Sequence, residues 1–162
     1  MSVVDVMIGP MGVLYGYYSA ADDQDAGRAI VREDEQPSGT GYDQFVLKGI
    51  DPVANLLPAE SLITGRSQDE VKADPRHGHL VAMVGDGEIV SVSLTDTFRD
   101  ALVSFDPALF DAVAQGWSVS DAFDSPPDKD TVDDLAAFLR ELTDLAQRAT
   151  AKGHRLYCWI CP

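Results

Sequence analysis

The chain of 162 residues carries 27 acidic against 12 basic side chains, a net charge of −15 and a pI near 4.2. A surface of that sign repels phosphate backbones and anionic lipids, so nucleic acid and membrane surfaces are not expected partners. Hydrophobic residues make up 45% of the chain, enough for a core, and a chain of this length can bury roughly 70% of its unfolded surface as one domain without a metal or a disulfide.

The acidity suits solubility, and it also suits a basic partner or a cationic ligand; composition does not choose between them. The two cysteines, Cys158 and Cys161, are too close for a bridge to close a useful loop, which points to a reduced, cytoplasmic setting. The first ten residues carry no basic region, and Asp5, Gly9 and Pro10 interrupt their apolar run. No signal peptide is expected, and no stretch approaches eighteen apolar residues.

In chain order, residues 3–8 read as a short strand, and Met11-Gly-Val-Leu-Tyr-Gly-Tyr-Tyr18 reads as a firmer one. Gly12 and Gly16 there allow a bend or a close backbone approach. Residues 22–33 are compatible with a helix whose apolar side is Ala26, Ala29, Ile30 and Val31, with acids in its first turn. Residues 36–41 form a loop. Residues 50–57 suggest a short helix capped by Asp51, with Pro52 at its first position. Pro58 ends that turn or begins another, which runs to a stop at Gly65. Residues 67–72 suit a further helical turn, and residues 74–78 a loop.

The clearest hairpin pairs residues 79–84 with 88–94 across Gly85-Asp-Gly87, whose residues tolerate positive φ. In its second arm Ile89, Ser91 and Ser93 share one face, and Val90, Val92 and Leu94 share the other, which is expected to meet the core. The first arm is apolar on both faces and is therefore placed inside the sheet. Phe105-Asp-Pro107 opens a short helix running to Gly116, with Asp106 as cap and Phe105 packing back on Phe110. Residues 125–128 are loop.

Residues 131–152 form the firmest element. Leu135, Phe138, Leu139, Leu142, Leu145, Ala146 and Ala149 recur at three- and four-residue spacing. Thr131 and Asp134 imitate a capping box, and Gly153 is the stop. A strand, His154 to Cys161, follows.

Chemical motifs are sparse. Cys158-Trp-Ile-Cys161 has redox or half-zinc spacing, but it follows a helix instead of preceding one, and strand alternation sends the two thiols to opposite faces. His77-Gly-His79 could place two imidazoles on one strand face, but the plainer reading is a polar loop entering a strand. No phosphate loop and no nucleophile elbow occurs. Asp51 and Glu60 would be an acid pair only if they met in one cleft; capping by Asp51 and simple exposure of Glu60 are the plainer expectation. No metal and no cofactor is expected. Tyr15 and Tyr17 share a strand face, with Tyr18 on the other, and Tyr157 and Trp159 share a face of the last strand. One face of each strand is expected to pack beneath the long helix, and tyrosines there can also line a pocket or interface.

Four pieces resemble the YfbM-like family of small bacterial proteins, a family of unknown function. They are Gly12-Val-Leu-Tyr-Gly-Tyr-Tyr18; Ile50-Asp-Pro-Val-Ala-Asn-Leu-Leu57 with the turn ending Leu62-Ile-Thr-Gly65; Gly87-Glu-Ile-Val-Ser-Val-Ser-Leu-Thr95 leading to Phe105-Asp-Pro107; and the long helix with Ala151-Lys-Gly-His-Arg-Leu-Tyr-Cys-Trp-Ile160. The family's Trp-His pair before Leu-Thr-Gly is replaced by Val53-Ala-Asn-Leu-Leu57. Its Tyr-Pro before the last helix is also absent. The resemblance implies a divergent member with a mixed α+β fold, and it transfers no reaction and no catalytic residue.

The sequence therefore predicts one α+β domain over residues 1–162, with a mixed or mainly antiparallel sheet and the long C-terminal helix packed on one face. Its expected role is a non-enzymatic cytoplasmic binding or interaction domain with a protein or small-molecule partner, basic if charge guides it. The oligomeric state is left open. The alternative is a small hydrolase or ligand-binding enzyme. Candidate binding residues are Tyr15, Tyr17, His77, His79 and Glu60.

Overall fold

The computed structural model of the protein describes residues 13–31, 42–123 and 128–162. The strand expected over residues 3–8, Gly12, the end of the helix expected to residue 33, the 36–41 loop and residues 125–127 lie outside the described residues. The elements run β1 (Leu14–Ala20), α1 (Asp23–Ile30), β2 (Gln44–Lys48), α2 (Leu57–Thr64), α3 (Gln68–Lys72), β3 (Leu80–Val84), β4 (Ile89–Ser93), α4 (Asp96–Ser104), a 3-10 turn (Pro107–Leu109), α5 (Phe110–Ser118), α6 (Lys129–Ala151) and β5 (Arg155–Cys161). The fold is α+β, with one antiparallel sheet of five strands in the order β2-β1-β5-β4-β3.

The last strand in the chain is the central strand of the sheet. Leu156, Tyr157, Cys158 and Trp159 are all buried, since β5 has β1 on one side and β4 on the other and is covered above and below. One face carries Tyr15, Tyr17, Leu47, Val92, Leu94, Leu156 and Cys158 beneath α6, α5, α4 and α2. The seven predicted stripe residues of α6 are all buried there. Phe138 meets Tyr17 edge-on at 5.2 Å, and Tyr17 stacks on Phe45 at 5.6 Å. The other face carries Tyr18, Ile89, Tyr157 and Trp159 beneath the single helix α1.

Gly16 is fixed by its neighbour across the ladder. It pairs with Trp159, and a Cβ on it would fall 1.9 Å from the Trp159 indole. The absent side chain lets the indole lie over the strand and reach Gln44, whose side-chain oxygen accepts from Nε1 at 3.2 Å.

Several sequence expectations are corrected. β3 is an edge strand with Leu80 and Met83 exposed, although its run is apolar throughout. In β4 both faces are covered: Val92 and Leu94 meet the α6 side, while Ile89 and Ser91 are buried toward α1. Tyr157 and Trp159 face α1, and it is Leu156 and Cys158 that pack toward α6.

The helix expected over 50–57 is a series of turns, in which the Asp51 carboxylate accepts from the Val53 and Ala54 N–H groups. The helix proper begins at Leu57, with Pro58 in its first turn, where a missing N–H costs nothing. α6 begins at Lys129. Its cap is Asp128, which accepts from both the backbone N–H and the hydroxyl of Thr131, so Thr131 lies inside the helix. Sequence reading passed over β2 and α4, whose short apolar content is modest; the Thr95 cap on the Phe98 N–H was the available signal for α4.

Other expectations hold. Phe105 packs on Phe110 at 5.4 Å, and Asp106 caps the turn that follows. The helical turn expected over 67–72 is α3, and its start is closed by a reciprocal capping box of Ser67 and Glu70 that the sequence reading did not name.

Candidate functional site

Antiparallel pairing brings the ends of β1 and β4 beside the starts of β3 and β5. Ala20 pairs with Arg155, Ser93 pairs with Tyr157, and the Ser93 N–H donates to the His79 carbonyl. The segments that leave and enter the sheet there carry most of the partly buried ionisable groups. They form a polar seam at one end of the sheet.

On the α1 side the seam is an Asp23–Arg76–Tyr157 cluster. Arg76 Nη1 lies 2.9 Å from both Asp23 oxygens, the Tyr157 hydroxyl donates to Asp23 Oδ1 at 2.8 Å, and the guanidinium stands 5.7 Å over the Tyr157 ring. Burial opposes the ionised form of Asp23, but the bonds from Tyr157 and Arg76 outweigh it and hold the carboxyl below its ordinary range. Tyr157 is pushed up, first by burial and then by donating to Asp23. The Arg76 carbonyl accepts from the Ser93 hydroxyl at 2.6 Å, which ties the approach to β3 onto the end of β4.

On the α2 side the seam is built around Glu60, which is 2% exposed. Simple exposure of Glu60 is therefore wrong: the first turn of α2 turns inward toward α4, and periodicity alone did not show which face of so short a helix is covered. The Thr95 hydroxyl donates to Glu60 Oε2 at 2.6 Å while its oxygen accepts the Phe98 N–H at 3.1 Å. One hydroxyl thus joins the buried carboxylate to the N-terminus of α4. Arg66 lies 3.6 Å from Glu60 and 3.3 Å from Asp74. Burial pushes the Glu60 carboxyl up, and Thr95 and Arg66 offset only part of that. Arg66 Nε and Nη2 are buried without a hydrogen-bond partner among the described residues.

His77 is on the turn after α3, within reach of the charges of Asp74, Lys72, Arg66 and Asp51, and its backbone N–H donates to the Asp74 carbonyl. Burial lowers its pKa, with Asp74 acting the other way. Gly78 beside it packs against Val53, since a Cβ there would meet the Val53 methyl at 2.6 Å. His79 is exposed, two residues on.

The remaining candidates lie elsewhere. Tyr15 and Tyr17 are in the core beneath α6. The Tyr17 hydroxyl donates to the Ile50 carbonyl at 2.6 Å, and burial raises its pKa well above that of an ordinary phenol. Tyr15 pairs with Leu47 and Ile160, at the end of β1 away from the seam. At about 4.8 Å per strand and 3.3 Å per residue, the backbones of Tyr15 and His79 are on the order of 15 Å or more apart.

The sequence therefore named three members of the seam, Glu60, His77 and His79, together with two residues that belong to the core. It missed Asp23, Arg66, Asp74, Arg76, Thr95 and Tyr157, which come from five separate segments. Only the local caps among them left a trace in sequence.

The cysteines take opposite faces, as strand alternation requires. Cys158 is in the α6-side core with its thiol pushed well up by burial, and Cys161 packs toward the α1 side. Among the described residues no group of three or more His, Cys, Asp or Glu side chains is placed to hold a metal ion. No helix among them is long and apolar enough to cross a membrane. Comparison with protein-family models, with curated proteins and with solved structures finds no match.

Proposed function

We propose that the protein is a non-enzymatic binding domain. The observation that carries this reading is that the fold itself already bonds the hydroxyls of Tyr17, Tyr18 and Tyr157 and one oxygen of Glu60. Tyr17 is bonded to Ile50, Tyr18 to Ser91 and Ala26, Glu60 to Thr95, and Tyr157 to Asp23. A group acting as general base or nucleophile has to reach a reacting atom at about 3 Å, and these groups are already bonded inside the molecule. The cytoplasmic setting and the divergent YfbM-like kinship belong to the same proposal. They are supported by the reduced cysteines and by the Tyr-rich first strand and the helix–glycine–strand unit at the C-terminus.

The test is a panel of esters, phosphates, glycosides and amides with the purified protein. No turnover above background is expected. Turnover that disappears on substituting one residue of the seam would overturn the reading.

A second reading, a small hydrolase or ligand-binding enzyme, is favoured by one observation. Glu60 is a buried carboxyl with a raised pKa beside Arg66 and Asp74, and His77 lies close to Asp74. That reading predicts that Glu60→Gln removes whatever turnover the panel finds.

A further inference from the structure

The two edges of the sheet are unlike. The β2 edge, Gln44–Lys48, ends in a lysine, and the Asp43–Arg148 ion pair at 2.6 Å ties its start to α6. Its residues are all at least partly buried. The β3 edge is Leu-Val-Ala-Met-Val, without a charge, a proline or a glycine. Its outer side pairs with no strand among the described residues. Val81, Ala82 and Val84 pack toward α1. Leu80 and Met83 stand 49% and 52% exposed on the strand itself. Proteins ordinarily blunt such an edge with lysine, proline or cover, because its free N–H and C=O groups are a template for another strand. β3 is short and carries a register shift against β4 between Leu80 and Ala82, both partial guards of an edge, but among the described residues its outer side has no charge, proline or covering strand.

The occupant is chosen by charge. Each chain carries −15, so pairing two β3 edges would bring like charge together. At the hairpin end of β3 stand the exposed carboxylates Asp86 and Glu88. We infer that β3 is a docking edge for an extended basic segment of a partner protein. The segment adds as a sixth strand, with apolar residues at alternate positions over Leu80 and Met83 and lysine or arginine toward Asp86 and Glu88. Backbone bonds supply affinity that is tolerant of sequence, and the acidic surface selects the sign of the partner. This inference rests on the binding-domain reading and names the partner for it.

The probe is a blocked ten-residue peptide of alternating lysine and valine, tested on the full chain by amide hydrogen exchange and by titration at two salt concentrations. Exchange at the outward-facing amides of residues 80–84, those not bonded to β4, is expected to slow at least tenfold on binding, and affinity to fall as salt rises. Leu80→Lys with Met83→Lys should weaken binding at least tenfold. Val119→Lys, at an exposed apolar site on the far end of α5, should leave it unchanged. A proline-interrupted peptide of the same composition should not bind, which keeps the test independent of how the double variant folds.

Equal binding of an alternating glutamate–valine peptide would overturn the inference, as would protection confined to other strands. Concentration-dependent dimers that disappear in the double variant would replace the partner by a second copy. Slow exchange of the outward-facing amides of residues 80–84 in the free monomer, those not bonded to β4, would replace it by a segment of this chain. Turnover by a protein whose β3 edge still protects normally would sink the non-enzymatic reading and leave the edge standing; an unprotected edge without turnover would sink the edge alone.

Discussion

The same strands are closed in two different ways on the two faces of the sheet. Toward α6 the closure is by area: four helices and a continuous apolar cluster, in which the Tyr17 hydroxyl is bonded to a backbone carbonyl. Toward α1 one helix of eight residues does the work, and the closure leans on fitted polar contacts. Tyr18 bonds both Ala26 and Ser91, Tyr42 reaches the Asp25 carboxylate, and the Trp159 indole fills the space that Gly16 leaves. A large face can be sealed by hydrophobic burial, which is not directional. A small face has less area to bury and needs bonds and shape to hold one arrangement.

The contrast can be broken most strongly on the large face. Phe138→Ala leaves a cavity among Tyr17, Phe45 and Trp117 and should cost about 3–5 kcal/mol in urea unfolding. If the loss is under 1 kcal/mol, the face is not closed by packing area.

Next comes Gly16→Ala. The added carbon falls within 2.4 Å of three Trp159 ring atoms, so the indole must move. A loss near 3 kcal/mol is expected, at the upper end of overpacking costs. Loss of indole contact should also appear in the fluorescence, with Trp159→Phe as the reference for assigning the signal. A neutral substitution would show that the indole is not seated over this strand.

Tyr18→Phe tests the bonds of the small face alone. It removes a hydroxyl that serves Ser91 at 2.6 Å and Ala26 at 2.8 Å, and leaves the buried Ser91 hydroxyl unsatisfied, while the Ala26 carbonyl keeps its helix bond, at a cost of about 2 kcal/mol. Tyr18→Phe combined with Ser91→Ala should recover part of that loss. Failure to recover would place the cost in packing and not in bonding.

The smallest effect lies in the seam and depends on pH. Burial raises the Glu60 carboxyl above its unfolded value, so folding favours its protonated form. The stability it contributes is fully present below the ordinary glutamate range, near 4.3, and is lost as pH rises through the folded value. The stability difference between the natural protein and Glu60→Gln should therefore shift against the natural protein between pH 4 and pH 7. A flat difference would mean that the carboxyl titrates normally.

Much of the fold was legible because the signals are local. The α6 stripe needs only a period of 3.6, and alternation put Cys158 and Cys161 on opposite faces without any knowledge of the sheet. Asp106, Ser67 and Gly65 mark helix boundaries by the bonds and dihedrals that their own neighbours require. Apart from the β3–β4 hairpin, which a local turn marks, what failed was the question of which segment lies beside which. Leu-Val-Ala-Met-Val and Leu-Tyr-Cys-Trp-Ile are both apolar runs, yet the first is an edge and the second is the centre. Glu60 read as a surface acid because its burial comes from α4, thirty-five residues further on.

The sequence by itself determined most of the element types, though not β2, α4 or the turns at 50–57, together with the inward stripe of the long helix and the net acidity of the chain, since each depends on residues within a few positions of one another. Only the tertiary structure decided the strand order, the seating of Trp159 over Gly16, the burial of Glu60 and the gathering of Asp23, Arg76 and Tyr157 at one end of the sheet. Those are contacts between segments distant in sequence, chosen by which faces could be covered together and not by the preference of any residue in them.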